Sequence, residues 1–284
     1  MGSLAKKIGQ ITAKSMESES SQILRTIQSN KIPNSLSQRL DTTLKESHDM
    51  KVFGLGTLSS MANKERYIRF THSMYGVYST MENELDETSS SSDVVKHFWN
   101  EHEYILRRTD KLRKDIEMVG QNVDSLEYTP ATQHYMDAIR VAGDNDRNTN
   151  GGKLLGHAYT RYLADLMGGQ VLATPTKLAL GLDHDVEQYS FDFVEHGMNR
   201  KEYVERIYKD LNIAGNLLSE SKRVSKGSND SNDDDFVSHE LLEGIVDEAR
   251  LAFQHNIKVY AEEPIYLDSI IGLKNIVTGY MFRR

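Results

Sequence analysis

Apolar residues along this chain recur at intervals of three and four, the spacing that lines one side of an α-helix. Leu36, Leu40 and Leu44 form the first such row, and Pro33-Asn34 followed by Ser35 and Gln38 places a capping box at its start. Tyr67, Phe70, Met74, Tyr78 and Met81 form a second row within a helix expected over 63–86. Between the two a turn is expected around Gly54 and Gly56, and Asp86 to Ser92 reads as a solvated linker. Further helices are expected over 93–119, 130–142, 199–213 and 236–262, the last stopped by Pro264. The stretch 152–180 keeps helical spacing but is interrupted by Gly168-Gly169. Gly143 to Gly152, full of Asn and Asp, reads as a loop, and the Ser/Asp/Asn-rich strip 219–235 as a mobile acidic loop. No run shows the period of two that marks a strand, so the fold class is all-α. The expected organisation is a flexible arm over 1–34, one helical domain over 35–263 and an apolar, docked C-terminal tail over 264–284.

Composition narrows the function. Among 284 residues, 34 basic side chains face 42 acidic ones, a net charge of −8, and a field of that sign repels phosphate backbones, so no nucleic acid is expected as partner. The absence of cysteine removes disulfides, thiolate zinc sites, cysteine-held iron–sulfur clusters and thiol nucleophiles together. No apolar run approaches the ~18 residues of a membrane span, and the start, Met1 to Lys7, lacks the apolar core of a secretory signal. A soluble intracellular protein is expected.

Two features carry chemistry. Gly168-Gly169 sits inside a helical pattern, where each glycine costs about 1 kcal/mol relative to alanine. At about 100° per residue, Arg161, Asp165, Gly168 and Gly169 share one face, offering bare backbone beside a carboxylate and a guanidinium. The alternative is a kink for close helix packing, with Arg161 and Asp165 as an ordinary i,i+4 pair. The second feature is His48, which extends the Leu36–Leu40–Leu44 row onto the buried side, with Lys45 pointing nearly the same way. It is either a hydrogen-bonded core histidine or a metal ligand. A lone histidine suits a metal already held by a macrocycle. None of the ten histidines has an acid three residues before it, and no two are four apart, which removes the di-iron and the His-x-x-x-His zinc patterns. Asp144, Asp146 and Asn148 have calcium-loop spacing, but Thr149 and Leu155 occupy the positions needing Gly and Glu. His97, His102, His184 and His196 read as surface or core-edge residues, and Trp99 as a core anchor.

The run His157-Ala158-Tyr159-Thr160-Arg161-Tyr162-Leu163, continued by Asp165-Leu166 and Gly168-Gly169-Gln170, closely resembles the signature of haem oxygenases. His48 with its preceding leucine row resembles their proximal ligand segment. Tyr75 to Leu85, Tyr128 to Ala131 and Ala249 to Ile257 match in the same order, so that the resemblance covers about 36–263. It implies one all-α domain that sandwiches haem b between a proximal helix and a glycine-kinked distal helix. The implied reaction opens haem to biliverdin, carbon monoxide and iron, using O2 and electrons from ferredoxin or an NADPH-linked reductase. By the same resemblance His48 ligates the iron, and Gly168 and Gly169 let the distal helix lie close to the ring. Asp165 holds water for proton delivery, with Arg161, Tyr78 and Tyr159 in its network, while Lys45, Lys209 and Arg206 pair with the propionates. Phe253 and Asn256 line the distal pocket. A soluble reductase such as ferredoxin and a biliverdin-consuming enzyme are the implied partners, and a plastid location follows by analogy with photosynthetic relatives. Three departures stand out: Ala164 where the family usually has glycine, Met167 where it usually has serine, and Asp41 at an often basic position, which implies a lost propionate clamp.

Three other readings remain on sequence grounds. A haem binder or sensor without turnover is motivated by Ala164 and Met167. A thiaminase-type helper shares the general fold but normally uses a cysteine nucleophile, which this chain lacks. The last is a helical scaffold that binds nothing.

Overall fold

A computed structural model describes residues 23–47, 50–226, 231–262 and 265–282. Among the described residues there is no strand, and the fold is all-α. The first six helices are α1 (Leu36–Ser47), α2 (Met50–Ser60), α3 (Lys64–Thr88), α4 (Asp93–Leu106), α5 (Thr109–Met118) and α6 (Pro130–Thr149). Next, α7 (Lys153–Ala158) runs into a π-turn over Tyr159–Leu163 and the short α8 (Ala164–Met167). After a 3-10 turn at Gly169–Leu172 come α9 (Ala173–Leu180), α10 (Arg200–Lys226), α11 (Ser231–Ala261) and α12 (Ile265–Phe282).

Side-chain caps start several helices where the sequence places them. Ser35 Oγ accepts from the Gln38 N–H at 3.3 Å, and the Gln38 amide oxygen accepts from the Asn34 N–H at 2.8 Å, closing the start of α1. Asn63 accepts from the Arg66 N–H at 2.8 Å to begin α3, and Thr129 accepts from the Thr132 N–H at 3.3 Å ahead of Pro130 in α6. The apolar row of α3 buries Tyr67, Met74, Tyr78, Met81 and Leu85 against α4, α5 and α6. Trp99 is buried and donates its indole N–H to Asp86 at 2.6 Å.

Several boundaries differ from expectation because partners far away in sequence set them. The helix expected over 93–119 breaks after Leu106. There the buried Arg108 guanidinium donates to the carbonyls of Ile105 and Leu106, at 2.6 and 2.9 Å, and to that of Ser190. The freed Arg108 N–H goes to Glu82 at 2.5 Å. The loop expected from Gly143 is helix through Thr149, ended by Asn150 in the left-handed region at φ 50°. Asp146, buried, accepts from the N–H groups of Lys153 and Leu154 at 2.9 and 2.8 Å and so starts the next helix. Gly54 and Gly56 make no turn and lie within α2. A Cβ on Gly56 would stand 2.4 Å from the Tyr260 ring, so it is close approach that selects glycine there. His102 is not at the core edge but fully buried, its Nε2 at 3.0 Å from Asp210 and its Nδ1 at 3.2 Å from the Tyr203 hydroxyl.

The strip 219–235 is helical up to Lys226 and again from Ser231; residues 227–230 lie outside the described residues. Of the expected arm 1–34, residues 1–22 lie outside them too. Its end is docked: Ile27 and Ser29 are buried, and the Glu205 carboxylate accepts from the N–H groups of Gln28 and Ser29 at 2.8 and 3.1 Å.

The C-terminal segment is a docked helix, and no described helix is long and apolar enough to cross a membrane. α12 lies across α2 and α9, with the Asn275 amide donating to the carbonyls of Met61 and Ala62 at 3.1 and 2.8 Å. Gly272 is so close to α2 that a Cβ would stand 1.8 Å from the Leu58 carbonyl oxygen. Gly272→Val is therefore expected to cost about 1–3 kcal/mol, the usual penalty of overpacking. Urea unfolding measures it, and a midpoint equal to that of the parent chain would mean that α12 is not docked this way.

Candidate functional site

A cavity of about 460 Å³ opens between α1–α2 on one side and the segment from Thr160 to Leu172 on the other, with α3 and α11 closing it. Arg161, Asp165, Gly168 and Gly169 all line it, as the one-face reading requires. The π-turn at Tyr159–Leu163, which the sequence pattern did not reveal, widens the backbone one turn before Asp165. Neither glycine of the pair has positive φ, so the left-handed region is not what requires glycine here. At Gly169 the fit is tight, since a Cβ would stand 3.1 Å from the Tyr189 ring. The carbonyls that lose helical partners at this bend, those of Leu166 and Met167, accept from the Arg200 guanidinium.

Asp165 is the chemical focus. Its Oδ2 accepts from the Tyr78 hydroxyl in a very short contact, and its Oδ1 lies 3.8 Å from Arg161 Nη2. Arg161 is only 4% exposed. It donates from Nη1 to Asn256 Oδ1 at 2.9 Å and from Nη2 to the Tyr78 oxygen at 3.3 Å. Burial raises the Asp165 carboxyl above the usual carboxylate range, while Arg161, Tyr78 and Arg108 pull it back. Burial also pushes the Tyr78 phenol well above its ordinary value, so it stays a hydrogen-bond donor. Phe253 and Asn256, both buried on α11, line the cavity as expected.

Other expected residues lie elsewhere. Tyr159 lines the cavity, but its hydroxyl donates to Asp41 at 2.7 Å and not to the Asp165 set. Asp41 also accepts from Tyr208 at 2.5 Å and from the Asn30 amide at 2.5 Å. It is a buried tie between α1, the π-turn and α10. Arg206 is turned away from the cavity: its guanidinium donates to Glu101 and lies 3.8 Å from Asp210. Lys209 is exposed on α10, next to Tyr208, which lines the cavity. His48 lies outside the described residues, and so does the side chain of Lys45. Ala164 is exposed on the cavity wall beside Asp165, and Met167 lines the same wall.

Sequence reasoning missed Arg108, Tyr189, Arg200 and Tyr260. Tyr260 had a signal, since Phe253, Asn256 and Tyr260 step by three and four along one helix face. Tyr189 comes from a 3-10 turn at Glu187–Tyr189 with no periodic pattern to mark it. Among the described residues no group of three or more His, Cys, Asp or Glu is placed to hold a bare metal ion. The arrangement instead suits a flat, largely apolar ligand, with one half-buried acid, backed by a phenol and a guanidinium, at the polar end.

Comparison with known proteins points the same way. The family model for heme oxygenase matches residues 34–231. Heme oxygenase 2 of Rattus norvegicus is 29% identical over 232 residues, which cover 80% of this chain and 65% of that protein. The heme oxygenase of Pyropia yezoensis is 27% identical over 237 residues, covering 81% of this chain and 86% of that one. Heme oxygenase-1 of the cyanobacterium Synechocystis, solved in complex with heme, superposes with a TM-score of 0.60 at 25% identity, covering 87% of this chain and 99% of that one. Heme oxygenase 2 of Chlamydomonas reinhardtii, at 20% identity, shares the fold with a TM-score of 0.64 over 82% of this chain and 99% of that one. This chain thus spans about two thirds of the length of its mammalian relatives, 65% for the rat protein. With the family model matched across most of the helical domain, the chain belongs to the haem oxygenase family.

Proposed function

We propose that this chain is an active haem oxygenase that opens haem b to biliverdin, carbon monoxide and iron, with O2 as oxidant. The observation that carries this reading is the half-buried Asp165, held by Tyr78 and Arg161 beside the bare backbone of Gly168 and Gly169 in one cavity. The residues present fit the macrocycle: the wall is mostly apolar, two glycines leave room for a flat face, and haem brings four of its own metal ligands. When bound, haem supplies both the iron at which O2 is activated and the ring carbon that is oxidised.

The chain's residues supply position and protons. Burial favours the protonated form of Asp165 while Arg161 and Tyr78 favour the charged form, so the carboxyl can exchange a proton with water in the cavity. Asn256 fixes Arg161, and Arg161 with Tyr78 fixes Asp165, which leaves little freedom in where that proton is delivered. His48 would ligate the iron, with Lys45 and Lys209 near the propionates, in a haem-binding unit over 35–263 braced by the tail 264–284. The similarity to heme oxygenases of Pyropia yezoensis and Rhodella violacea supports a plastid location, a soluble donor such as ferredoxin in place of an NADPH-linked reductase, and an enzyme that consumes biliverdin.

The test is a haem titration followed by turnover with ferredoxin, its reductase and NADPH, watching biliverdin absorbance. His48→Ala is expected to shift or weaken the Soret band, because the iron loses its protein ligand. A Soret band unchanged by that substitution would remove His48 from the site. Haem uptake without biliverdin would leave a binder, with Ala164, exposed in the cavity beside Asp165, as the residue to revert to glycine.

A further inference from the structure

Four phenols on the cavity wall take no part in the scheme above; Tyr159 and Tyr208 donate to Asp41, which leaves Tyr189 and Tyr260. Tyr260, near the end of α11, lines the cavity together with Asp165, Gly168 and Gly169. Its ring is held edge-on by Phe53 of α2, with centroids 5.0 Å apart, and by Phe70 of α3 at 5.2 Å. Gly56 has no side chain where the ring passes, since a Cβ there would stand 2.4 Å from Cδ1. Three contacts on two helices thus place one ring. Tyr189 closes the same wall from the other side, its ring lying over Gly169.

The surroundings of the Tyr260 hydroxyl are polar. Burial raises its pKa, Arg161 lowers it, Asp165 raises it, and Thr57 is close enough to lower it as well. Arg161 Nε is buried without a hydrogen-bond partner among the described residues. A guanidinium only donates, so toward Arg161 the Tyr260 oxygen can only accept, and its own proton remains available to an acceptor such as a water in the cavity or the Thr57 hydroxyl. The Tyr78 hydroxyl, by contrast, is used up on Asp165 Oδ2.

We propose that Tyr260 is a positioning residue for proton delivery in this cavity, its hydroxyl donating to the water that exchanges protons with Asp165; this rests on the haem oxygenase reading. The test compares the full-length chain with Tyr260→Phe, which keeps the ring and its contacts with Phe53 and Phe70. Each is loaded with ferric haem and titrated with base while the acid–alkaline absorbance transition is followed. A donor to a water stabilises the form that has lost its proton, so removing that donor is expected to raise the midpoint by about half to one pH unit, the size of one hydrogen bond. The C–O stretch of the ferrous carbonyl complex should rise as well, because a donor near the ligand lowers it. Normal haem uptake with an unmoved or lowered midpoint overturns the role of Tyr260 and leaves the haem oxygenase reading standing. A parent chain that takes up no haem overturns both.

Discussion

Asp165→Asn is expected to lower the rate of biliverdin formation by about 10²- to 10⁴-fold while the Soret band of the bound haem persists. The substitution keeps the shape of the side chain and an oxygen able to accept from Tyr78, so the cavity wall is preserved. What it removes is a group that can hold and release a proton in a site where burial already favours holding one. Arg161 loses its carboxylate at 3.8 Å but keeps Asn256 at 2.9 Å, so the chain should stay folded. Single-turnover kinetics after haem loading separate the two effects, since loading reports binding and the biliverdin band reports chemistry. A rate within about threefold of the parent chain would show that protons reach the site by a route that does not pass through Asp165.

Arg108→Met should produce the largest loss of stability, about 3–5 kcal/mol, because it removes one partner from a buried charged cluster. The guanidinium is 1% exposed and lies 3.9 Å over the Phe191 ring. It caps the carbonyls of Ile105, Leu106 and Ser190, and Glu82 takes the N–H groups of Arg108 and Thr109 at 2.5 and 3.3 Å. Methionine fills much of the volume but leaves three carbonyls without their donor and a buried carboxylate with less positive charge nearby. Thermal unfolding followed by circular dichroism is expected to show Tm falling by about 10 °C. A fall of only one or two degrees would mean that water satisfies those carbonyls and that the cluster is not closed.

The segment around His48 shows where inference from local pattern stops. His48 follows from the leucine row of α1, whose cap and burial are as the sequence implies, yet its contacts lie outside the described residues. The distal segment shows the opposite case. Asp165, Arg161 and the glycine pair are close in sequence, and all four line one cavity as a shared helix face implies, although a π-turn runs through Arg161. Arg206 shows where the resemblance does not carry over, because Glu101 takes its guanidinium; Asp41, the acid at an often basic position, is held instead by Tyr159 and Tyr208.

Local pattern carries the all-α class, the cap of α1, the burial of Trp99 and the side of the helix on which Arg161 and Asp165 meet. These depend on residues within about one or two helical turns of each other, where backbone geometry dictates who meets whom. Packing sets that α4 ends at Leu106, that α6 continues to Thr149, that Gly56 serves Tyr260 and that Tyr78 and Asn256 converge on the Asp165–Arg161 pair. The deciding groups are Arg108 with Glu82 and Ser190, Asp146 with the start of α7, the Tyr260 ring, and the two side chains brought in by α3 and α11. Except at Gly56, where close approach decides, these are hydrogen bonds that must be satisfied once water is excluded, and that demand arises only when the helices have packed.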